Sequence, residues 1–170
     1  MNNEPYEIER KFLIARPSRE YLEARAEATE IVQTYLLAAP GETERVRKRG
    51  KNGVYVYTHT CKLRLSDLRR IEREEEIGEA DYEALLRRAD PACRPIQKER
   101  WVLPYRGQSF EIDLFPFWEH QAYLELELTD ESQEIDFPPE IRILREVTAD
   151  RRYSNAALAR RIPEEEEAGA

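Results

Sequence analysis

The sequence predicts a mainly β domain of the α+β class, with eight antiparallel strands, the number that closes a barrel, and a few covering helices. Three observations carry this. Apolar and polar residues alternate with period two in eight segments. Helix-like segments interrupt them only three times. One face of nearly every strand carries charge, with the two signs largely sorted by strand.

The strands read as YEIERKFLI (6–14), EIVQTYLLA (30–38), TERVRKRG (43–50), VYVYTHTCKLR (54–64), RRIEREEEI (69–77), PIQKERWVL (95–103), QSFEIDLFP (108–116) and QAYLELELT (121–129). RGKNG (49–53) and PYRG (104–107) read as hairpin turns, because Gly and Asn tolerate positive φ. Helices are predicted over 18–28, capped by Ser18, over 79–90, stopped at Asp90-Pro91, and over 154–162, capped by Ser154 or Asn155. Residues 130–142, with Pro138-Pro139, read as a loop. The chain forms one domain over 1–163, and the acidic tail 164–170 is predicted to be disordered.

Composition narrows the function. A net charge of −8 argues against a broad surface for nucleic acid or anionic membranes, but leaves room for a basic pocket inside an acidic shell. Cys61 and Cys93 make neither a CxxC motif nor a disulfide framework, and His59 and His120 are too few for a His-rich zinc site. They are expected to be surface or packing residues. No apolar run approaches a membrane span and the N-terminus lacks a signal-peptide pattern, so a cytoplasmic protein is expected.

The charged faces hold Glu7, Glu9 and Lys11 on the first strand, Arg45 and Arg47 on the third, and Lys62 with Thr60 on the fourth. Arg70, Glu72, Glu74 and Glu76 follow on the fifth, Lys98 and Arg100 on the sixth, Glu111 and Asp113 on the seventh, Glu125 and Glu127 on the eighth. Two arrangements fit: an antiparallel sheet with a solvated outer face, or a closed barrel with these charges inside. A membrane barrel has similar alternation, but Arg10 and Lys48 would then face lipid. Segregation of the signs by strand favours the closed barrel with a charged interior.

Such an interior suits a metal–polyphosphate ligand. Carboxylates without His or Cys are hard oxygen donors for Mg²⁺ or Mn²⁺, and Lys and Arg suit phosphate oxygens. Residues i and i+2 on a strand lie roughly 6.5 Å apart along one face, so Arg45 with Arg47, or Lys98 with Arg100, can grip successive phosphoryl groups. A monophosphate would not need six cations on four strands.

EIERK (7–11) resembles the ExExK signature of the CYTH superfamily, the triphosphate tunnel metalloenzymes. QTYL, RVRKRG, TCK, RIEREEEI, QKERW, FEIDLF, LELEL and EVTADRRYSNAAL resemble the family in order, over about residues 4–160, and the likeness is to its short single-domain bacterial members. The resemblance implies an eight-stranded tunnel open at both ends. It implies metal carboxylates at Glu7, Glu9, Glu125, Glu127 and Asp113, with Glu111 a further ligand or water-orienting group. It implies phosphate contacts from Lys11, Arg45, Arg47, Lys62, Lys98 and Arg100, with Arg152 and Tyr35 also reaching substrate. Lys98, Glu9, Asp113 and Glu111 form the implied catalytic set, and Glu72 and Glu74 balance charge. Tyr153 packs or caps in a C-terminal segment that closes one tunnel end. Arg70 and Arg64 are open between phosphate contact and surface, while Arg49 and Lys51 read as turn residues.

The implied activity is a metal-dependent triphosphatase using Mg²⁺ or Mn²⁺, acting on a small-molecule triphosphate, with inorganic tripolyphosphate first. The alternatives are a class IV-type adenylate cyclase, a thiamine triphosphatase with Trp101 or Trp118 as an aromatic platform, and a non-catalytic polyphosphate binder. Long nucleic acid is disfavoured. The outward apolar faces exceed what three short helices cover, which leaves room for a homodimer.

Overall fold

A computed structural model describes residues 6–166. It contains β1 (Tyr6–Ala15), α1 (Arg19–Arg25), β2 (Glu27–Leu36), β3 (Glu42–Lys51), β4 (Val54–Arg64), β5 (Arg69–Ile77), α2 (Glu79–Leu85), β6 (Ile96–Tyr105), β7 (Gln108–Leu114), β8 (Gln121–Leu128), β9 (Ile143–Glu146) and α3 (Asn155–Leu158). The first eight strands pair in the order β5-β4-β3-β2-β6-β7-β8-β1, and β1 returns to β5, closing an antiparallel barrel. β5 holds only the start of β1, at Tyr6–Ile8. Further along, at Phe12–Ile14, β9 takes over the same edge. The first strand is thereby left with little unpaired backbone, as closure requires.

All eight predicted strands form, and the differences have local causes. α1 starts where Ser18 Oγ accepts the Tyr21 amide at 3.1 Å. It stops at Arg25, short of the predicted 28, because residues from Glu27 onward pair with β6. α2 gives way to a 3₁₀ turn at Leu86–Arg88, and α3 is a single turn capped by Ser154. β9 was not among the predicted strands; its four residues are too few for alternation to stand out. Both predicted hairpins turn on paired positive-φ residues, Asn52-Gly53 and Arg106-Gly107.

The outward face of β1, β6, β7 and β8 forms one apolar layer, including Phe12, Trp101, Phe110, Ile112 and Leu124. Leu22 and Tyr21 of α1 cover part of it; Ile135, Phe137 and Ile141 of the 129–142 segment cover more. That segment, rather than a helix, supplies the cover the sequence left unassigned. α2 lays Tyr82 over Val46 and Tyr57 on the β3–β4 side.

Inside the barrel the residues change character along its axis. Leu13, Tyr35, Ile96, Phe115 and Tyr123 continue the inward phase of the charged positions. They pack with Trp118, Val147, Tyr153, Leu158 and Ala159 into a single apolar cluster. Tyr123 Oη donates to the Tyr153 carbonyl at 2.7 Å, tying the C-terminal segment to the barrel wall. One end is therefore filled, which corrects the expectation of a tunnel open at both ends. It agrees with closure by the C-terminal segment.

Of the acidic tail, residues 167–170 lie outside the described residues. Glu165 accepts the His120 amide at 2.6 Å, and Glu166 pairs with Arg145 at 2.7 Å. No described helix is long and apolar enough to cross a membrane.

Candidate active site

Above the apolar plug lies a cavity of about 380 Å³, lined by ten Lys or Arg and nine Asp or Glu side chains. The chain as a whole carries −8, so cationic charge is concentrated in this space. Alternation along β3 aims Arg45, Arg47 and Arg49 at the cavity. Neither Arg45 nor Arg47 is ion-paired to a carboxylate among the described residues, and the buried Nε of each has no acceptor. The partner of Arg47 is a neutral amide, Gln33 Oε1 at 3.1 Å; Gln33 in turn donates to Tyr35 Oη at 3.1 Å. Burial, then Arg45 and Arg100, push the Arg47 guanidinium down to about 9. Burial and Arg45 push the Lys62 ammonium down to about 8. Each shift reflects burial first and neighbouring cations second.

The carboxylates stand mainly on β1, β5, β7 and β8. Register sets Glu9 opposite Glu127, Lys11 opposite Glu125, and Glu111 opposite Glu125. Lys11 Nζ meets Glu125 at 3.2 Å, Lys62 Nζ meets Glu72 at 3.2 Å, and Arg70 pairs with Glu9. Glu127 is exposed to the cavity. Burial would raise the Glu125 carboxyl, but Lys11 with Arg100 and Lys98 holds it at about 2. Glu7 moves the other way: burial and a hydrogen bond with Glu72 lift it to about 8. Glu72 is correspondingly held low against its own burial, by Glu7, Lys62 and Arg45. Glu74 accepts from Thr60 Oγ1 at 2.7 Å.

Beneath this layer sits a buried trio. Asp113 Oδ1 and Oδ2 take Arg100 Nε and Nη2 at 2.8 and 2.9 Å, and Oδ2 also meets Lys98 Nζ at 2.8 Å. Lys98 further donates to Asn155 Oδ1 at 3.2 Å. Arg100 reaches the cavity and binds Glu111 at 2.5 Å, whereas Lys98 and Asp113 do not line it. The two buried cations hold Asp113 well below the usual carboxylate range, despite burial.

The structure brings Glu7, Glu9, Lys11, Tyr35, Arg45, Arg47, Lys62, Glu72, Glu74, Arg100, Glu111, Glu125 and Glu127 together around one cavity, as expected from the sequence. Asp113 is placed differently from a metal ligand: it does not line the cavity, and both its oxygens are engaged by Arg100 and Lys98. Lys98 lies in that same buried layer. Arg152 is exposed and turned onto Asp150 at 2.6 Å; its neighbour Arg151 lines the cavity. Arg49, read as a turn residue, also lines it, because β3 runs on to Lys51. Arg64 and Arg70 both reach it. Gln33 escaped notice as a neutral residue, although its place two residues before Tyr35 marked its phase. Trp101 belongs to the outer layer and Trp118 to the plug, so neither offers a platform at the cavity.

No family model matches the chain. It is 35% identical over 162 residues to a Nitrosomonas europaea protein named inorganic triphosphatase, covering 92% of this chain and 99% of that one. A solved inorganic triphosphatase structure superposes with a TM-score of 0.59 at 31% identity, covering 93% of this chain and 97% of the other. A Hippeastrum protein, named for adenylyl cyclase and described as having a dominant triphosphatase activity, shares the fold with a TM-score of 0.51. Its identity is 16%, over 72% of this chain and 80% of the other. By its likeness to the inorganic triphosphatase across nearly the whole of both chains, and by its eight-stranded barrel with a charged interior, this chain belongs to the CYTH superfamily.

Proposed function

We propose that this protein hydrolyses the terminal phosphoanhydride of inorganic tripolyphosphate, using a divalent cation, Mg²⁺ or Mn²⁺. The observation that carries the reading is the pair Arg45 and Arg47, buried on the cavity wall without a carboxylate partner. Unpaired buried guanidinium groups are costly in an empty protein, and a polyanion relieves that cost. The glutamates facing them suit the cation that accompanies a polyphosphate. Glu7, Glu9, Glu125 and Glu127, with Glu111 beside them, are the residues that would hold it, all oxygen donors on the cavity wall.

Arg45, Arg47, Arg49, Lys62 and Lys11 grip the phosphate chain, and Tyr35 sits at its inner end. Lys11–Glu125 and Lys62–Glu72 are stand-in pairs: phosphate that recruits the ammonium groups would free the two carboxylates, which could then help hold a cation. A divalent cation held by these glutamates would supply charge to the phosphate oxygens and would acidify water for attack. Arg100 faces the reacting phosphate and draws charge from the phosphorus–oxygen bond as it breaks. Asp113 is not read as a ligand here; with Lys98 it fixes Arg100, a fixed charge that needs no reorganisation during reaction. Water adds to the terminal phosphorus, the bridging bond breaks, and phosphate and pyrophosphate leave. The residues 147–156 that line the closed end keep the site from opening into a through-channel.

The test is product release from tripolyphosphate, ATP, thiamine triphosphate and pyrophosphate, each with Mg²⁺, Mn²⁺ or chelator. Metal-dependent phosphate release from tripolyphosphate, far above the others, is expected. Cyclic AMP and pyrophosphate from ATP, or tight binding with no turnover, would overturn the reading.

A further inference from the structure

On the outside of the barrel, behind the cation-bearing wall, three side chains of different chemistry converge. Glu44 on β3 stands directly opposite Cys61 on β4, and His59 lies two residues along β4 on the same outward face. A carboxylate oxygen, an imidazole nitrogen and the thiol sulfur lie within 4.8 Å of one another. His59 Nε2 is 2.8 Å from Glu44 Oε1, and Nδ1 on the other edge of the ring is 3.6 Å from Glu75 on β5. Arg88 holds the second oxygen of Glu44 at 3.1 Å. Among the described residues, this is the group whose His, Cys and carboxylate donors approach closely enough to share one ion. Several of the cavity carboxylates, by contrast, are engaged by Lys and Arg.

We propose that Glu44, His59 and Cys61 form a site for a transition-metal ion of the zinc class, outside the barrel and separate from the catalytic cavity. Cys, His and carboxylate are each zinc ligands, and three such donors leave a fourth tetrahedral position for water. Tetrahedral bonds of about 2.0–2.3 Å bring donors to roughly 3.3–3.8 Å of each other. His59 Nε2 and Glu44 Oε1, 2.8 Å apart, would therefore open by about 0.5 Å and the Cys61 sulfur would close by about 1 Å. The exposed Cys61 side chain supplies the larger movement, while Glu44 and His59 are mostly buried beside it. His59 Nε2 takes the metal. Its Nδ1 then carries the proton and faces Glu75, the outer carboxylate that fixes the tautomer of a metal-bound imidazole. Arg88 orients Glu44 in the same way. The thiolate makes the site selective: it favours zinc-like ions and rejects Mg²⁺, which the cavity prefers. A bound ion would cross-brace β3 and β4 at the residues flanking Arg45, Thr60 and Lys62, the inward half of the same strands.

The experiment is titration of the intact protein with Co²⁺ in excess Mg²⁺, which occupies the cavity carboxylates. A thiolate-to-cobalt charge-transfer band reports only cysteine ligation. One equivalent is expected to develop the band, and Zn²⁺ to bleach it. The band persists in Cys93→Ala, disappears in Cys61→Ser, and needs about tenfold or more Co²⁺ in His59→Ala. Circular dichroism verifies that each variant is folded. Absence of the band in the native protein, its survival in Cys61→Ser, or unchanged Co²⁺ affinity in His59→Ala would overturn the site, whatever the phosphatase activity.

Discussion

Arg100 and Asp113 stand opposite each other on β6 and β7 and meet as a two-pronged ion pair, at 2.8 and 2.9 Å, with both residues buried. Lys98 binds the same carboxylate at 2.8 Å. One buried anion thus bridges two buried cations, with Glu111 a second partner for Arg100. Asp113→Ala is expected to cost about 3–5 kcal/mol, the scale for stranding a buried charge. Urea unfolding of the two proteins measures it, and a loss under about 1 kcal/mol would show that the trio is not what holds this layer.

Lys98→Ala is expected to behave differently. It removes one cation and leaves Asp113 paired with Arg100, so folding should survive. Turnover should fall about a hundredfold, on the order of 3 kcal/mol, because Arg100 loses its fixed neighbour and Asn155 loses its donor. Glu127→Ala should lose a similar factor for another reason, and raising Mg²⁺ should restore part of it. Metal titrations of both variants separate the two: rescue is expected for Glu127→Ala and not for Lys98→Ala.

Glu7 predicts a pH dependence. Burial and Glu72 lift its carboxyl to about 8. At neutral pH it holds a proton that a divalent cation must displace. Proton release on metal binding is therefore expected below pH 8, and apparent metal affinity should rise as pH approaches that value. Above it the gain stops, since the carboxylate is already bare. Calorimetry in buffers of different ionisation heat reads the released proton. Glu7→Gln should release fewer protons and flatten the slope; an unchanged slope would remove Glu7 from the metal set.

Much of this was legible in the chain because the cavity writes itself into period two. Glu7, Glu9 and Lys11, or Arg45 and Arg47, can share a face only if that face is functional or solvated, and the sorting of signs decided between these. The rest depended on information alternation lacks. Arg49 was lost because RGKNG reads as a turn from its first residue, while the reversal occurs at Asn52-Gly53. Asp113 and Arg100 are in phase with the cavity residues and directly paired, but the long Arg100 side chain reaches the cavity while the short Asp113 does not. The plug of Leu13, Tyr35, Phe115 and Tyr123 continues the same phase, and only packing against Tyr153 and Leu158 shows where charge gives way to core. His59 was set aside as one of too few histidines and Cys61 for want of a CxxC partner, and Glu44 was not singled out, because their convergence needs the β3–β4 register.

Leu158 tests the closed end. It is buried within the plug, and Leu158→Ala leaves a cavity there. A loss of about 2–4 kcal/mol is expected, read from the urea midpoint. Because Leu158 belongs to the short helix that carries Asn155, the contact with Lys98 should loosen too, lowering kcat more than it raises KM. A variant with native stability would show that the plug does not depend on the C-terminal segment.

The arginines of β3 set stability against activity. Arg47 is 8% exposed, its Nε has no acceptor, and its partner is the amide of Gln33. Burial and two neighbouring guanidinium groups already pull it down to about 9. In the empty protein this side chain is therefore a liability: it gives up hydration and gains one hydrogen bond. Arg47→Met keeps the length and apolar stem and discards the charge. Replacing buried charge with well-packed apolar volume is often neutral or stabilising by about 1–4 kcal/mol. The variant should unfold at an equal or higher temperature, while kcat/KM for tripolyphosphate falls by a factor of about 100–1,000, as when a fixed charge partner of the reacting group is removed. Tripolyphosphate should also raise the melting temperature of the native protein more than that of the variant, because its negative charge relieves the strain that Arg47 introduces. If Arg47→Met instead melts well below the native protein, the guanidinium is structural, and the unpaired arginines no longer point to an anionic ligand.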